Sequence, residues 1–461
     1  MVRLFKHYIP YAVLLLGLLD VIALGLAAEA GWRLRTWQIG TNAGVFADRV
    51  LEITAFAGIG LLALVSVGGY APDALRSIRV AAARLLVALG LAVVGISLVA
   101  FLAPGADFWR SVLLYAVAIA MALVLLSRGI TGRMLGTSNF DRRIVVMGAG
   151  ARAKRIERLA AKPRSGVKVA AFIDMGDGPA MIPDAVTRAS ISDLDRFVER
   201  LQAGEVVLAL EERRNALPLK DLLRIKTRGL AVTDLTSFLE RETGRVDLDT
   251  LNPSWLIFSD GFVSGQAVAA AGKRIFDLVS SFCLLLITAP IILVFAILVR
   301  LETAGPAFFR QQRVGLYGIP FELVKLRSMR CDAEADGSQW ASVNDPRITR
   351  VGRWIRKLRI DELPQLWLVL RGRMSFVGPR PEVPQFVATL DQDLPFYAER
   401  HMVKPGITGW AQINYPYGAS LQDARHKLEY DLYYAKNYSP FLDILILLQT
   451  VRVILWPSGA R

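Results

Sequence analysis

Hydrophobic and polar positions along this chain change rhythm three times. The amino-terminal part holds four apolar runs, at about residues 8–28, 53–70, 80–103 and 111–127, each near the ~20 residues a membrane helix needs. They predict a four-helix transmembrane bundle over residues 1–135. The first run is too long for a signal-peptide core, and no small-residue cleavage pattern follows it before Trp32, so it is expected to stay as an anchor. Arg3 and Lys6 precede the first run, Arg76 and Arg79 separate the second from the third, and Arg128 and Arg133 follow the fourth. That distribution places both ends in the cytoplasm, although Arg33, Arg35 and Arg49 in the first loop pull the other way.

From about Arg142 short apolar runs alternate with amphipathic stretches. Strands are expected at 144–147, 167–173 and 206–210 and helices at 151–161 and 194–202, which together imply a parallel sheet in a Rossmann-like α/β domain over 140–260. Gly148-Ala149-Gly150-Ala151-Arg152-Ala153 fits GxGxxA directly after the first strand, and Asp174 ends the next strand, where a ribose-binding acid stands in a dinucleotide fold. Tight strand-to-helix turns use glycine whatever the ligand. No tyrosine occurs between Tyr115 and Tyr317, which removes the Tyr and Lys pair of a short-chain dehydrogenase or dehydratase. The domain is therefore expected to be non-catalytic, structural or regulatory, with nucleotide binding as a second use.

The third rhythm begins with an apolar run at 275–299, bounded by Lys273 and Arg274 on one side and Arg300 on the other, with Pro290 inside it. It is long enough to cross a bilayer, but basic residues at both ends and a helix-breaking proline predict a re-entrant helix that enters and leaves on one face. Beyond it the chain is dense in Arg, Gly and Pro and reads as loops with few long helices. A last apolar stretch, 440–456, carries Asp443, Gln449 and Arg452, so it is expected to lie at the membrane surface or pack on its own domain rather than span.

Composition adds charge to this picture. With 461 residues, 53% hydrophobic, and a formal net charge of +14, the chain suits anionic lipid, phosphorylated substrates or nucleic acid. Cys283 and Cys331 give neither a disulfide framework nor a zinc spacing, and His7, His401 and His426 are too scattered for a local metal motif. Within RITRVGRWIRKLRIDELP, residues 347–364, the acidic residues are Asp361 and Glu362, and six bases precede them: Arg347, Arg350, Arg353, Arg356, Lys357 and Arg359. Cations within about 4–6 Å hold a carboxyl below its ordinary range, so the pair is expected to stay ionised as a nucleophile or metal ligand. A helix cap is the competing use, since Asp361, Glu362 and Pro364 ahead of LWLVL are ordinary helix-start signals. Capping does not account for the cations, and a helix N-terminus further stabilises an anion.

From Lys273 onward the chain resembles the bacterial sugar transferase family, the monotopic polyprenyl-phosphate phosphoglycosyl transferases, in its large multi-domain branch. The motifs that carry the resemblance are KRIFDLV at 273–279, GPAFFRQQRVG at 305–315, FELVKLRSM at 321–329, NDPRITRVGRWIRKLRIDELPQL at 344–366, MSFVGPRPE at 374–382 and KPGITGWAQIN at 404–414. It looks most like undecaprenyl-phosphate glucose or galactose phosphotransferases of exopolysaccharide loci. The resemblance implies a monotopic, α-rich catalytic domain over 270–461, on the cytoplasmic face of a bacterial inner membrane. It implies transfer of a hexose 1-phosphate from a UDP-sugar to undecaprenyl phosphate: Asp361 attacks the sugar-proximal phosphorus, UMP leaves, and the lipid phosphate then takes the phosphosugar. Glu362 would orient the nucleophile, handle a proton or help place Mg²⁺, with Asp361 and Glu362 as metal ligands.

By motif position Arg356 and Lys325 would meet the diphosphate, followed by Arg313, Arg327, Arg359 and Arg380. Arg350, Arg353 and Lys357 read equally as a solvated face or as contacts to anionic headgroups, and Gly378-Pro379-Arg380-Pro381 as a rigid turn. Where many relatives continue from the WAQ segment into Asn-Gly-Arg-Asn, this chain has Asn414-Tyr415-Pro416-Tyr417-Gly418, which leaves the sugar open. The implied partners are the UDP-sugar, undecaprenyl phosphate and the lipid bilayer, and a homo-oligomer is compatible with the pattern. A different class of reading, a membrane-anchored nucleotide or nucleotide-sugar sensor built on the GxGxxA domain, predicts dinucleotide binding by residues 140–260. Nucleic-acid binding fits least, because the cations cluster around an acidic pair beside a hydrophobic helix and no nucleic-acid module is recognisable.

Overall fold

The structure, a computed structural model, describes residues 2–4, 7–9, 11–70, 74, 78–102, 109–134, 142–162, 165–211, 217–251, 253, 256, 267–331, 333, 345–416, 418 and 420–455. The chain forms two compact units, residues 128–258 and the remainder.

Among the described residues five helices are long and apolar enough to cross a membrane. Four are α1 (Tyr11–Ile39), α2 (Val50–Ser66), α3 (Ile78–Leu102) and α4 (Arg110–Met134). They pack through Leu24, Ala27, Phe56, Leu64, Leu89, Ala92, Ala120 and Val124, while Leu15, Leu26, Leu62, Leu86, Leu98 and Leu126 stay exposed. Alanines interleaved with Leu and Phe at the contacts let the helices approach closely, and the large apolar residues outside suit lipid as solvent. Because α1 runs on to Ile39, Arg33 and Arg35 lie on the helix rather than in the expected loop. Glu29 takes Arg33 at 2.7 Å and Arg49 at 2.9 Å, so one carboxylate serves two of the three bases that argued against a cytoplasmic amino terminus.

The α/β unit contains β1 (Arg142–Met147), α5 (Ala151–Ala160), β2 (Val167–Asp174), β3 (Val186–Thr187), α6 (Leu194–Arg200), β4 (Glu205–Leu208), α7 (Leu219–Thr227), β5 (Ala231–Asp234) and α8 (Leu235–Thr243). All five strands are parallel, in the order β3-β2-β1-β4-β5, the Rossmann-like arrangement. Ile144, Val145, Val146 and Met147 are fully buried because helices cover both faces of a parallel sheet.

The 275–299 run belongs to α9 (Ala267–Glu302), a helix that holds Pro290 inside it. One proline removes one backbone bond, and the ladder on either side carries the helix past it. Outward-facing Ile275, Val279, Phe282, Leu286, Ile287, Leu293, Val294 and Leu301 are all more than half exposed. The rest of this region is less loop-like than its composition suggests. An antiparallel hairpin, β6 (Phe308–Val314) with β7 (Pro320–Leu326), leads into α10 (Arg350–Lys357), and a 3-10 segment (Ile360–Gln365) leads into α11 (Leu366–Leu370). Then come β8 (Ser375–Val377), α12 (Pro384–Asp393), β9 (Gly406–Thr408), α13 (Trp410–Asn414), α14 (Leu421–Asn437) and α15 (Pro440–Leu455). As expected of a charged apolar stretch, α15 packs on its own domain, where Asp443 is 2% exposed and takes Lys273 Nζ at 2.5 Å and Arg452 donates to the Ile413 carbonyl at 3.1 Å, and it also lies against α2.

Candidate active site

Arg359 lies in the left-handed region, at φ 57°, between α10 and the 3-10 segment. A non-glycine residue held there costs of order 1–3 kcal/mol and persists only where its surroundings fix it. The turn it makes brings the segment with Asp361 and Glu362 against β7, near Lys325. Neither acid caps a helix: the N-cap position is Arg359, with no side-chain cap bond. The capping reading of Asp361 is therefore set aside, although both acids do lie in the first turn of the helical segment.

Three cations converge on Glu362 Oε1, with Arg380 Nη2 at 3.0 Å, Arg359 Nη1 at 3.9 Å and Lys325 Nζ at 4.0 Å. Burial alone would raise this carboxyl, but Arg380, Lys325 and Arg359 outweigh it and hold Glu362 down at about 2. The same burial, together with Arg380, pushes the Lys325 ammonium down to about 8 against the pull of Glu362 and Asp361. Asp361 differs from its neighbour. Burial first, and the Glu362 charge second, raise its carboxyl above the ordinary value despite Lys325, Arg359 and Arg380. The expectation that the cationic field would lower both acids is thus corrected for Asp361: the cations meet Glu362 at close range, and Asp361 receives the repulsion of Glu362 with only part of their attraction. Its Oδ1 is buried without a hydrogen-bond partner.

The remaining predicted residues separate. Arg356, on α10, is half-buried, and its side chain makes no ion pair or hydrogen bond among the described residues, which leaves its guanidinium available. Arg313 stands near enough to add its charge to those acting on Lys325, but its donors are engaged with the Pro381 carbonyl at 3.1 Å and Gln311 Oε1 at 2.6 Å, with Glu382 at 3.6 Å. Arg327 is not brought to the acids. It is 5% exposed and donates to the carbonyls of Thr303 and Ala304, at 2.8 and 2.9 Å, just beyond the end of α9, so it caps that helix. Arg350, Arg353 and Lys357 are exposed.

Gly378-Pro379-Arg380-Pro381 is more than a turn. A Cβ on Gly378 would lie 2.2 Å from the Lys404 carbonyl oxygen, and one on Gly406 would lie 2.1 Å from Gly378 N. Only glycine permits two backbones that close, and parallel pairing of β8 with β9 locks the MSFVGPRPE segment against KPGITG. Sequence reading missed Tyr397, Arg400 and Asp431, which lie behind Arg380; nothing local marks them.

A sequence model described as bacterial sugar transferase matches residues 268–457, and one described as CoA-binding domain matches residues 65–224. The UDP-N-acetylgalactosamine-undecaprenyl-phosphate N-acetylgalactosaminephosphotransferase of Aeromonas hydrophila is 43% identical over 240 residues, 52% of this chain and 56% of that protein. The undecaprenyl-phosphate glucose phosphotransferase of Komagataeibacter xylinus is 46% identical over 39% of this chain and 35% of its own length. The uncharacterized sugar transferase EpsL of Bacillus subtilis is 46% identical over 193 residues, 41% of this chain and 90% of that protein. This chain belongs to the bacterial sugar transferase family. It spans about half of the Aeromonas relative (56%) and about a third of the Komagataeibacter one (35%).

Two implied ligands can be set against the residues present. For Mg²⁺, no group of three or more His, Cys, Asp or Glu side chains is assembled among the described residues. Mg²⁺ is commonly held by one or two carboxylates with substrate phosphates and water, and the unpartnered Asp361 Oδ1 suits that part. Glu362 does not suit it, because its carboxylate already faces three cations. For a CoA-like pyrophosphate, the expected seat is the N-terminus of α5 behind the glycine turn. There Glu211 Oε1 accepts from Arg152 N at 2.8 Å, and a Cβ on Gly150 would lie 2.6 Å from that same oxygen. Asp174, expected at a ribose, instead accepts from Gly176 N at 2.9 Å. The chain's own carboxylate holds the seat, so a pyrophosphate does not fit this arrangement.

Proposed function

We propose that the chain transfers a hexose 1-phosphate from a UDP-sugar to undecaprenyl phosphate through an aspartyl phosphosugar intermediate, releasing UMP, as the first membrane step of exopolysaccharide or glycoconjugate synthesis. The observation that carries this reading is Asp361, a buried carboxylate oxygen without a hydrogen bond, beside a Glu362 whose charge Lys325, Arg359 and Arg380 already meet. A carboxylate engaged by donors is a weak nucleophile, whereas one left bare within a cationic surround is poised to attack phosphorus. UDP-sugar donor and undecaprenyl phosphate acceptor are taken from the names of the relatives.

In the first half-reaction an Asp361 oxygen bonds to the sugar-proximal phosphorus, and the bond from that phosphorus to the UMP oxygen breaks, the electron pair leaving with UMP. In the second, an oxygen of the lipid phosphate attacks the same phosphorus and the electron pair returns to Asp361. Lys325, Arg359 and Arg380 neutralise the approaching anions, and Arg356 supplies a further free guanidinium. Mg²⁺, which Asp361 would help hold, would supply additional charge neutralisation to the substrate phosphates.

The membrane geometry fits a lipid-borne acceptor. Near the start of α9, Arg274 donates to the Val369 and Leu370 carbonyls, each at 2.7 Å; at its end, Glu302 accepts from Arg350 N at 2.7 Å. A straight helix between those points rises about 40 Å, enough to cross a bilayer, yet both ends bond one domain. That supports α9 entering and leaving on a single, cytoplasmic face, bent at Pro290, with the active site held at headgroup depth. The test is UMP release across a panel of UDP-sugars with undecaprenyl phosphate, with and without Mg²⁺, and intact-mass detection of a phosphosugar on Asp361. Turnover retained in Asp361→Asn, or no UMP from any donor, would overturn the proposal.

A further inference from the structure

Four successive carbonyls around Arg380 each accept a hydrogen bond. Gly406 N reaches Pro379 O at 2.9 Å, Arg400 Nη2 reaches Arg380 O at 3.0 Å, Arg313 Nη1 reaches Pro381 O at 3.1 Å, and Val314 N reaches Glu382 O at 2.9 Å. Pro379 and Pro381 fix φ on either side of Arg380 and have no N–H to donate, so the path of this segment is set by what grips its carbonyls. The grip on Arg380 itself comes from one buried guanidinium.

Arg400 is 5% exposed. Its Nε and Nη2 donate to Asp431 Oδ2 at 3.1 and 2.7 Å, and its Nη1 donates to the Tyr397 hydroxyl at 2.9 Å. Asp431, on α14, is 2% exposed. A buried ion pair is weak support for stability, since apolar residues of similar volume often do as well. What such residues could not do is hold the Arg380 carbonyl. The residue so held is the one whose side chain approaches Glu362 most closely, at 3.0 Å.

We propose that Arg400 and Asp431 are a positioning pair, which fixes the Arg380 backbone so that its guanidinium meets Glu362 and the transferring phosphoryl group, without touching substrate. This inference rests on the transfer reaction proposed above. Misplacement of a catalytic group by about 1 Å costs on the order of 10²-fold in rate. The experiment is a double-mutant cycle on the full chain in detergent or nanodiscs, read as UMP release: wild type, Arg400→Lys, Arg380→Lys and both together. Arg400→Lys is expected to lose about 10²-fold in turnover, and to lose almost nothing further once Arg380 is Lys. Asp431→Asn, which keeps the shape of the side chain, should show the same dependence on residue 380 with a smaller loss. Equal fractional losses in both backgrounds would mean a general structural role and would overturn the inference, as would unchanged turnover in Arg400→Lys. A wild type silent towards every donor would instead sink the transfer reaction, so the two failures are distinguishable.

Discussion

Two regions of this chain offer a place for an anion, and they treat it oppositely. At the glycine turn of the α/β domain, Glu211 reaches back to Arg152 N and fills the place a ligand phosphate would take. At the end of β7 an internal carboxylate, Glu362, again absorbs the nearest cations, but a second acid beside it, Asp361, keeps a buried oxygen without a partner. One carboxylate closes a site, and two in sequence neutralise it and leave it reactive. The motif alone, glycine turn or basic run, does not distinguish these cases; the side chain that arrives from elsewhere does.

The largest test of this contrast is Asp361→Asn. The amide keeps the shape and removes the nucleophile, so UMP release is expected to fall by about 10⁴-fold or more, the scale of losing a catalytic nucleophile. Thermal unfolding should barely move, because Asp361 accepts no hydrogen bond among the described residues. Turnover within tenfold of wild type would show that the bare carboxylate is not the reacting group.

Next in size is Arg380→Met. Glu362 would lose its closest partner, and the developing phosphoryl charge one donor, so turnover should drop by about 10²–10³-fold. The parallel change Arg327→Met should do the reverse: it strips the cap from α9 and costs roughly 1–2 kcal/mol of stability by removing its bonds to the Thr303 and Ala304 carbonyls, while turnover per folded molecule holds. Comparable kinetic losses in the two variants would erase the distinction between a site arginine and a capping one.

A pH effect sharpens the comparison on the side of Asp361 and Arg380. Burial, with Arg400 beside it, pushes the His401 imidazole down to about 4, below its ordinary value of 6.5. The unfolded chain therefore binds a proton between those values while the folded chain does not, and stability contributed above pH 6.5 is lost as pH falls towards 4. The full loss is roughly 3 kcal/mol. His401→Gln should flatten that part of the stability profile, and an unchanged acid limb would place the titration elsewhere.

How much of this was legible beforehand varies with the range of the interaction. The four leading helices follow from apolar runs that lipid requires to be continuous, and Asp361 stood out because its cations are sequence neighbours. The hairpin of β6 and β7 reads as loop in sequence because Arg310, Gln311, Gln312 and Arg313 interrupt its apolar pattern on both faces. Arg313 and Arg327 looked like phosphate ligands because they sit near Lys325 in the motifs, yet the one grips a proline carbonyl and the other a helix end. The contact of Arg400 with Asp431 joins residues 31 apart in sequence, and Glu211 lies 59 residues from Arg152. No local periodicity encodes such meetings; they exist only once the strands and helices have packed.

The smallest expected effect is also the one that would break the comparison most directly. Glu211→Ala removes the internal anion from the N-terminus of α5 and frees the Arg152 N–H, while the backbone bond from Glu211 N to Asp177 Oδ2, at 2.6 Å, needs no side chain at position 211. An emptied helix N-terminus attracts anions with about 1 kcal/mol or less at an exposed site, so pyrophosphate or CoA, measured by calorimetry on the full chain, should gain up to about fivefold in affinity. Turnover should be unchanged, because Glu211 is far removed from the Asp361 chemistry in role. Tight CoA binding by the wild type would show that Glu211 yields to a ligand and is a gate rather than a plug. No gain in Glu211→Ala would show that removing the plug does not restore an anion seat, and that the chain keeps this fold for its packing alone.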